Sequence, residues 1–376
     1  MDFSTTKTQA ALIDRARQAA EAFDPALTPA GRGFWPAAGA EGWLGLCLDR
    51  DHGGQGLGAV DTVLVAEALG RGGLSRAALF SMGAHLFGCA MALQNHAGPA
   101  LRAAWLPRLA SGAAIGALAL TEPQGGSDTG NGRVLAAFDA DGPGLTLTGT
   151  KTLVSNGPLA DLLVVNATRQ GATSALQSSV LAVPTDLPGL RVTPLTSHIG
   201  LREAPMAEIH FDNVRLDRDH VLGRPGQGLG ILLSVMRWER SCILAGFLGA
   251  AERDLVAVTR ALSGRQNSRG RLIAQQAVAH ALAELRVEQE MARLLLYRGA
   301  GALEADEGAV IYPAMAKLAI SRALVSSARG LQELMAGAGW LDEMGLATAL
   351  TDVMGTLSAS GTSHIQLNAI ASGLER

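Results

Sequence analysis

The 376-residue chain predicts an α+β fold in three parts: an amino-terminal helical domain (1–115), a small antiparallel β-barrel or sandwich (116–220) and a carboxy-terminal helical bundle (221–376). Two observations lead there. Apolar residues recur at helical spacing up to about Ala114, fall into short β-rich runs to about Leu216, and return to helical spacing beyond Gly223. In composition, 48% apolar and 17% charged residues supply a large core and exclude wholesale disorder. Few aromatics, with abundant Ala and Gly, suit closely packed helices.

The elements follow in order. Thr8–Phe23, Ala59–Leu69 and Ala84–Leu93 carry the helical period, punctuated by Gly53–Gly58 and Gly70–Gly73. No strand precedes the first glycine cluster, so it reads as a turn rather than a phosphate cradle. After the apolar strand Ile115–Leu120, the β-rich runs are Leu145–Gly149, Leu162–Val165, Ser179–Val183, Gly189–Val192 and Ala207–Phe211, separated by Gly, Pro and Asp. Four amphipathic stretches close the chain, at about 228–262, 272–303, 308–337 and 343–374, with Gly-rich joints between them.

A net charge of −3 and scarce aromatics argue against a nucleic-acid partner. Cys47, Cys89 and Cys242 show no CxxC spacing, and the eight histidines show no HExxH, so neither a disulfide framework nor a metal site is expected. Residues 1–8 lack the basic start and apolar block of a secretory signal, and the most apolar run, Ile231–Ala251, is interrupted by Arg237, Glu239 and Arg240. The expectation is a soluble, cytoplasmic protein.

Glu239 stands out. Leu232, Val235, Met236, Glu239, Cys242, Ile243 and Gly246 share one helical stripe, with Arg237 and Arg240 pointing away. A carboxylate among apolar groups loses hydration, and its pKa rises towards the range of a general base. Taken alone, a half-solvated Glu paired with an arginine explains the window as well. Three further loops carry hydroxyls and glycines: Thr121-Glu-Pro-Gln-Gly-Gly-Ser-Asp128, Gly149-Thr-Lys-Thr-Leu-Val-Ser-Asn-Gly157 and Ser360-Gly-Thr-Ser-His-Ile-Gln366.

In order and spacing these loops resemble three motifs of the acyl-CoA dehydrogenase flavoproteins, and the resemblance covers essentially the whole chain. It implies a helical domain, a β-domain and a four-helix bundle, with bound FAD. Leu118, Leu120, Thr121, Gly126 and Ser127 match the loop that meets the flavin ring and pyrophosphate, and Val154 and Ser155 match the second flavin loop. Arg265 and Gln276 match positions that reach the FAD of a neighbouring subunit. Gly337 and Thr362 fall in the nucleotide pocket. The chain departs from the family at Arg265–Gly270, which lacks a Phe, and at Glu333, where the family has Gln. It also carries Ser360 where most members carry the catalytic Glu. A minority of the family places that Glu before an Arg on the helix after the β-domain, which is where Glu239-Arg240 falls. Loss at one position with gain at the other assigns the base to Glu239.

Within the family the likeness is to dehydrogenases of aminoacyl groups on carrier proteins in natural-product biosynthesis, through Trp238-Glu239, Cys242, Phe80–Leu86, Leu296–Arg298, Ala314–Leu318 and Ser360–Thr362. It implies a prolyl- or seryl-derived thioester on a carrier protein as substrate, and an electron-transferring flavoprotein or oxygen as acceptor. It also implies a homotetramer or homodimer. The alternatives are a catabolic short- or branched-chain acyl-CoA dehydrogenase and a non-redox interaction protein. His85 and Tyr297 are candidates for the acyl pocket, with a buried structural role as the alternative.

Overall fold

The computed structural model describes residues 4–127, 132–140, 142–172, 177–307 and 310–374. Asp128, the last residue of the first motif, lies outside them.

The amino-terminal part holds α1 (Lys7–Ala22), α2 (Phe34–Ala40), α3 (Ala59–Arg71), α4 (Arg76–Gly83), α5 (Met91–His96) and α6 (Pro99–Ala110). Helix α1 starts on a capping box in which Thr6 and Gln9 satisfy each other's backbone donors. A π-helical segment, Ala84–Ala90, joins α4 to α5. The continuous stretch Arg76–His96 is long and apolar enough to cross a membrane by length and composition, yet 94% of its most apolar 18-residue window is buried inside the protein. The glycines at 53–58 form a turn, with backbone bonds from Gly54 to Asp49 and from Gly56 to Leu48.

The central part holds β1 (Gly116–Ala119), β2 (Leu135–Phe138), β3 (Gly144–Ser155), β4 (Leu162–Arg169), β5 (Ser178–Pro184), β6 (Leu190–Leu195), β7 (Met206–Asp217) and β8 (Val221–Leu222). The order β6-β7-β3-β2-β4-β5-β8 is open, with β1 also on β4, so this part is a sandwich and not a closed barrel. It is also mixed rather than antiparallel, because β1 and β2 both run parallel to β4. Strands β4 and β5 are buried on both faces. Leu162, Val164, Val180 and Ala182 join the helical core, while Leu163, Val165, Leu181 and Val183 fill the core of the sandwich.

The carboxy-terminal part holds α7 (Gly228–Cys242), α8 (Ala245–Ser263), the hairpin β9 (Gln266–Asn267) and β10 (Gly270–Arg271), α9 (Gln276–Glu304), α10 (Ile311–Met335), α11 (Leu346–Met354) and α12 (Ser363–Ala371). The first predicted stretch is thus two helices, broken at Ile243–Leu244, and the last is broken between Gly355 and Thr362. Both breaks serve packing. Beyond the first, α8 runs against α3 at backbone distance: a Cβ on Gly70 would lie 1.9 Å from Gly246 O, and one on Gly249 would lie 1.9 Å from Glu67 O.

The same seam holds a buried charge network. Glu67, fully buried, accepts from Arg71, Arg293 (Nε, 2.6 Å) and Tyr297 Oη (2.7 Å). Glu252 accepts from Arg71 Nε (2.7 Å), Arg286 Nη1 (2.8 Å) and Arg293 Nη2 (2.7 Å). Burial pushes Glu252 up, but hydrogen bonds from Arg286 and Arg71 and the charge of Arg293 bring it to about 2. One core therefore unites the amino- and carboxy-terminal helices. The sandwich and the far end of the bundle have cores of their own.

Candidate active site

Where the three parts meet, the structure leaves a cavity of about 640 Å³. Its β-side wall is built from the two sequence motifs. Leu118 and Leu120 enter from β1 and the residues after it, followed by Thr121, Gly126 and Ser127. From β3 come Thr152, Leu153 and Ser155. The pairing of β3 with β7 slips between Lys151 and Val154, and Leu153 takes φ 55°, so Thr152 and Leu153 swing out of the ladder into the cavity. Thr152 N–H then donates to Thr121 O at 2.8 Å, which joins the two motif loops.

A buried ion pair locks that junction. Lys151 Nζ donates to Glu122 Oε1 (2.7 Å) and to Leu120 O (2.9 Å), and Glu122 also accepts the Arg133 N–H at 2.6 Å and the Val134 N–H at 3.2 Å. Burial raises Glu122, but Lys151 and these N–H groups more than offset it and hold the carboxyl below its usual range. Burial also dominates at Lys151, pulling it down. The Glu and Lys of the two motifs thus shape the loops and do not line the cavity. Asn156, in the left-handed region at φ 64°, ties the second loop to Ser81 O (2.9 Å) and Gly116 O (3.3 Å).

The helical wall carries the chemistry. Glu239 sits on α7 among Leu232 and Met236, 8% exposed, with its carboxyl on the cavity. Burial pushes it up to about 7; the Ser360 hydroxyl and the charges of Arg240 and Lys317 act in the opposite direction and only partly offset that. Ser360 Oγ is buried and completes no hydrogen bond of good geometry, so its influence on Glu239 is one of proximity. The sequence reading pointed Arg240 away from this stripe, and the structure corrects it. Arg240 lines the cavity and its Nε donates to Ser360 O at 3.3 Å, because the turn before α12 folds back over α7. Arg237 does point away, onto Asp306.

Of the residues singled out in the sequence, Glu239, Leu118, Leu120, Thr121, Gly126, Ser127, Ser155 and Thr362 come together on this cavity. Val154 does not: strand alternation turns it into the sandwich core, and Leu153 takes its place. Arg265, Gln276 and Gly337 do not either. Arg265 and Gln276 flank the β9–β10 hairpin, exposed, and Gly337 lies in the exposed turn after α10. Glu333 is exposed beside Arg329. His85 and Tyr297 are structural. The His85 ring bridges Leu109 O and Gly116 N–H within the core, so that Nδ1 accepts and Nε2 donates, and burial lowers it to about 4. Tyr297 belongs to the Glu67 network.

Sequence reasoning missed Thr152, Leu153, His198 and Lys317. His198 lines the cavity with both ring nitrogens buried and unpartnered, on a loop with no periodicity to flag it. Lys317 was detectable: it is a lone cation in the apolar run Ala314–Ile320, the same signal that marked Glu239.

The cavity fits a flavin ring. Apolar Leu118, Leu120 and Leu153 offer a flat surface, and Thr121, Ser127, Thr152 and Ser155 surround it with hydroxyls. Unpartnered His198 leaves donor capacity for a ligand to meet.

Models of the N-terminal, middle and C-terminal domains of acyl-CoA dehydrogenases match residues 6–113, 117–214 and 226–375. An L-prolyl-[peptidyl-carrier protein] dehydrogenase of Pseudomonas fluorescens is 37% identical over 341 residues, 91% of this chain and 90% of that protein. The chain belongs to the acyl-CoA dehydrogenase family. A Serratia protein of the same description is 32% identical over 339 residues, covering 90% of this chain and 87% of its own. The solved structure of PigA with FAD and proline superposes with a TM-score of 0.95 at 30% identity, covering 100% and 99% of the two chains.

Proposed function

We propose that this chain is an FAD-dependent dehydrogenase of a prolyl or related aminoacyl group held as a thioester on a carrier protein. The observation that carries it is Glu239: a buried carboxyl on the cavity wall, pushed up to about 7 by that burial, beside a turn whose own side chain is a hydroxyl. The named activity of the two relatives supports the substrate class. When bound, FAD supplies the hydride acceptor.

The chain's residues supply the rest. Thr121, Ser127, Thr152 and Ser155 hold the ring side of the cofactor, and Leu118, Leu120 and Leu153 exclude water from it. The thioester carbonyl acidifies the adjacent C–H, and Glu239, ionised, takes that proton. Arg265, Gln276 and Gly337 are too exposed to serve the cavity of their own protomer and would meet the adenine end of FAD in a neighbouring subunit of a homodimer or homotetramer. Electrons leave to an electron-transferring flavoprotein or to oxygen.

The test is anaerobic bleaching of the flavin spectrum by prolyl- and seryl-derived carrier thioesters beside short acyl-CoAs. Carrier-bound aminoacyl groups are expected to bleach it. Bleaching by acyl-CoAs alone would reassign the enzyme to acyl-CoA oxidation. Glu239→Gln is expected to keep FAD and lose reduction by substrate.

A further inference from the structure

Lys317 is not on the cavity, yet it lies behind the part of the wall that faces Glu239. Its side chain, 1% exposed on α10, donates from Nζ to Gly361 O at 2.7 Å. The turn it grips is strained. Ser360 adopts φ 55° and Gly361 φ 94°, and a non-glycine residue in the left-handed region costs about 1–2 kcal/mol. Such a conformation persists only where its surroundings over-determine it. Here three side chains do so through two carbonyls: Arg240 Nε on Ser360 O (3.3 Å), Gln366 Nε2 on Ser360 O and Gly361 O (3.0 Å each), and Lys317 on Gly361 O.

Two of the three clamps are cations, and they are the charges that bear on Glu239. Of the other titratable groups around it, Glu67 of α3 and Arg293 of α9 pair with each other, His85 of the π-helical segment is bonded to Leu109 and Gly116, and burial lowers His96 of α5. On the cavity itself, Asp352 accepts the Leu201 N–H and His198 has no hydrogen-bond partner. Burial of an ammonium with a single acceptor is costly. A Met at position 317 would fill the same space without that cost, so the charge has a use.

Resting on the reading of Glu239 as the base, we infer that Lys317 is a positioning residue: it clamps the Ser360–Gly361 turn across from Glu239 and sets a positive charge behind that turn which favours the carboxylate. The tug of burial on Lys317 itself, down to about 8, is the other side of the same arrangement. The clamp and the charge separate experimentally. Lys317→Gln keeps a donor and removes the charge, Lys317→Arg keeps the charge, and Gln366→Met loosens the turn without altering charge.

The experiment is single-turnover anaerobic reduction of the FAD-loaded enzyme by saturating prolyl-carrier thioester, across about pH 6 to 9. Lys317→Gln is expected to move the midpoint up by about one pH unit, a modest share of what a nearby opposite charge contributes. At pH 7 that lowers the rate about fivefold. Lys317→Arg keeps the wild-type midpoint. Gln366→Met lowers the plateau rate with the midpoint unmoved. A Lys317→Gln enzyme with the wild-type midpoint overturns the inference. So does a raised midpoint in Lys317→Arg, which decides the matter if the Gln variant does not fold. Glu239→Gln in the same assay separates the two readings. If it reduces flavin at the wild-type rate, the base assignment fails and takes this inference with it. If it is inert while Lys317→Gln behaves as wild type, only the role of Lys317 fails.

Discussion

Glu239 should make the protein less stable, and by an amount that depends on pH. Its carboxyl rises from the usual 4.5 to about 7 because burial disfavours the charged form. The folded state therefore holds this proton more tightly than the unfolded chain. A group with a raised folded pKa contributes its full stability below the unfolded value and loses it as pH rises through the folded value. The window is thus from about 4.5 to about 7. At about 1.4 kcal/mol for each pH unit separating the two states, the loss is at most about 3.5 kcal/mol. Glu239→Gln is isosteric and cannot ionise, so it should escape that loss. Urea unfolding of wild type and variant, side by side, gives the assay. Near pH 4 the two should be similarly stable, and near pH 8 the variant should be more stable by about 3 kcal/mol. An equal difference at both pH values would refute the reasoning, because a change in packing or hydrogen bonding carries no such dependence. A less stable variant at pH 8 would mean that Arg240 and Lys317 outweigh burial.

Three further outcomes follow from the geometry. Lys151→Met strands the Glu122 carboxylate and should cost about 3–5 kcal/mol in urea unfolding, with flavin lost on gel filtration. The double variant with Glu122→Gln should recover part of it, whereas a cost below about 1 kcal/mol would place the pair with solvated surface bridges. Gly70→Ala puts a methyl into Gly246 O and should lower stability by about 2 kcal/mol or more, read as a fall in thermal midpoint. Arg265→Ala should weaken FAD retention in the assembled protein and leave the unfolding of a single protomer unchanged, which flavin fluorescence on dilution would report.

Much of the site was legible in the sequence because it is carried by local signals. The order of helical, β and helical periods comes from residues a few positions apart, and so does the stripe that buries Glu239. Glycine and hydroxyl loops following strands mark Thr121–Ser127 and Ser155 in the same way. Long-range pairing left no such mark. Strand β4 takes two parallel neighbours on one edge, β1 and β2, so a run that looks antiparallel by composition belongs to a mixed sheet. A one-residue bulge in β3 exchanges Val154 for Leu153 at the cavity, and a bulge of that kind has no periodicity of its own.

Residue type and local period were enough to place a carboxylate on the apolar stripe of α7; that a hydroxyl stands before α12 where most of the family has a carboxylate came from the resemblance. What those groups do to each other depended on long-range packing. The turn at Ser360 folds back onto α7 and brings Arg240 into the cavity, against the direction its helical position suggested. Helix α10 delivers Lys317 behind the same turn from 44 residues away in the chain. Charge, burial and strain act through space over a few ångströms, whereas sequence separation says nothing about which of these groups end up that close.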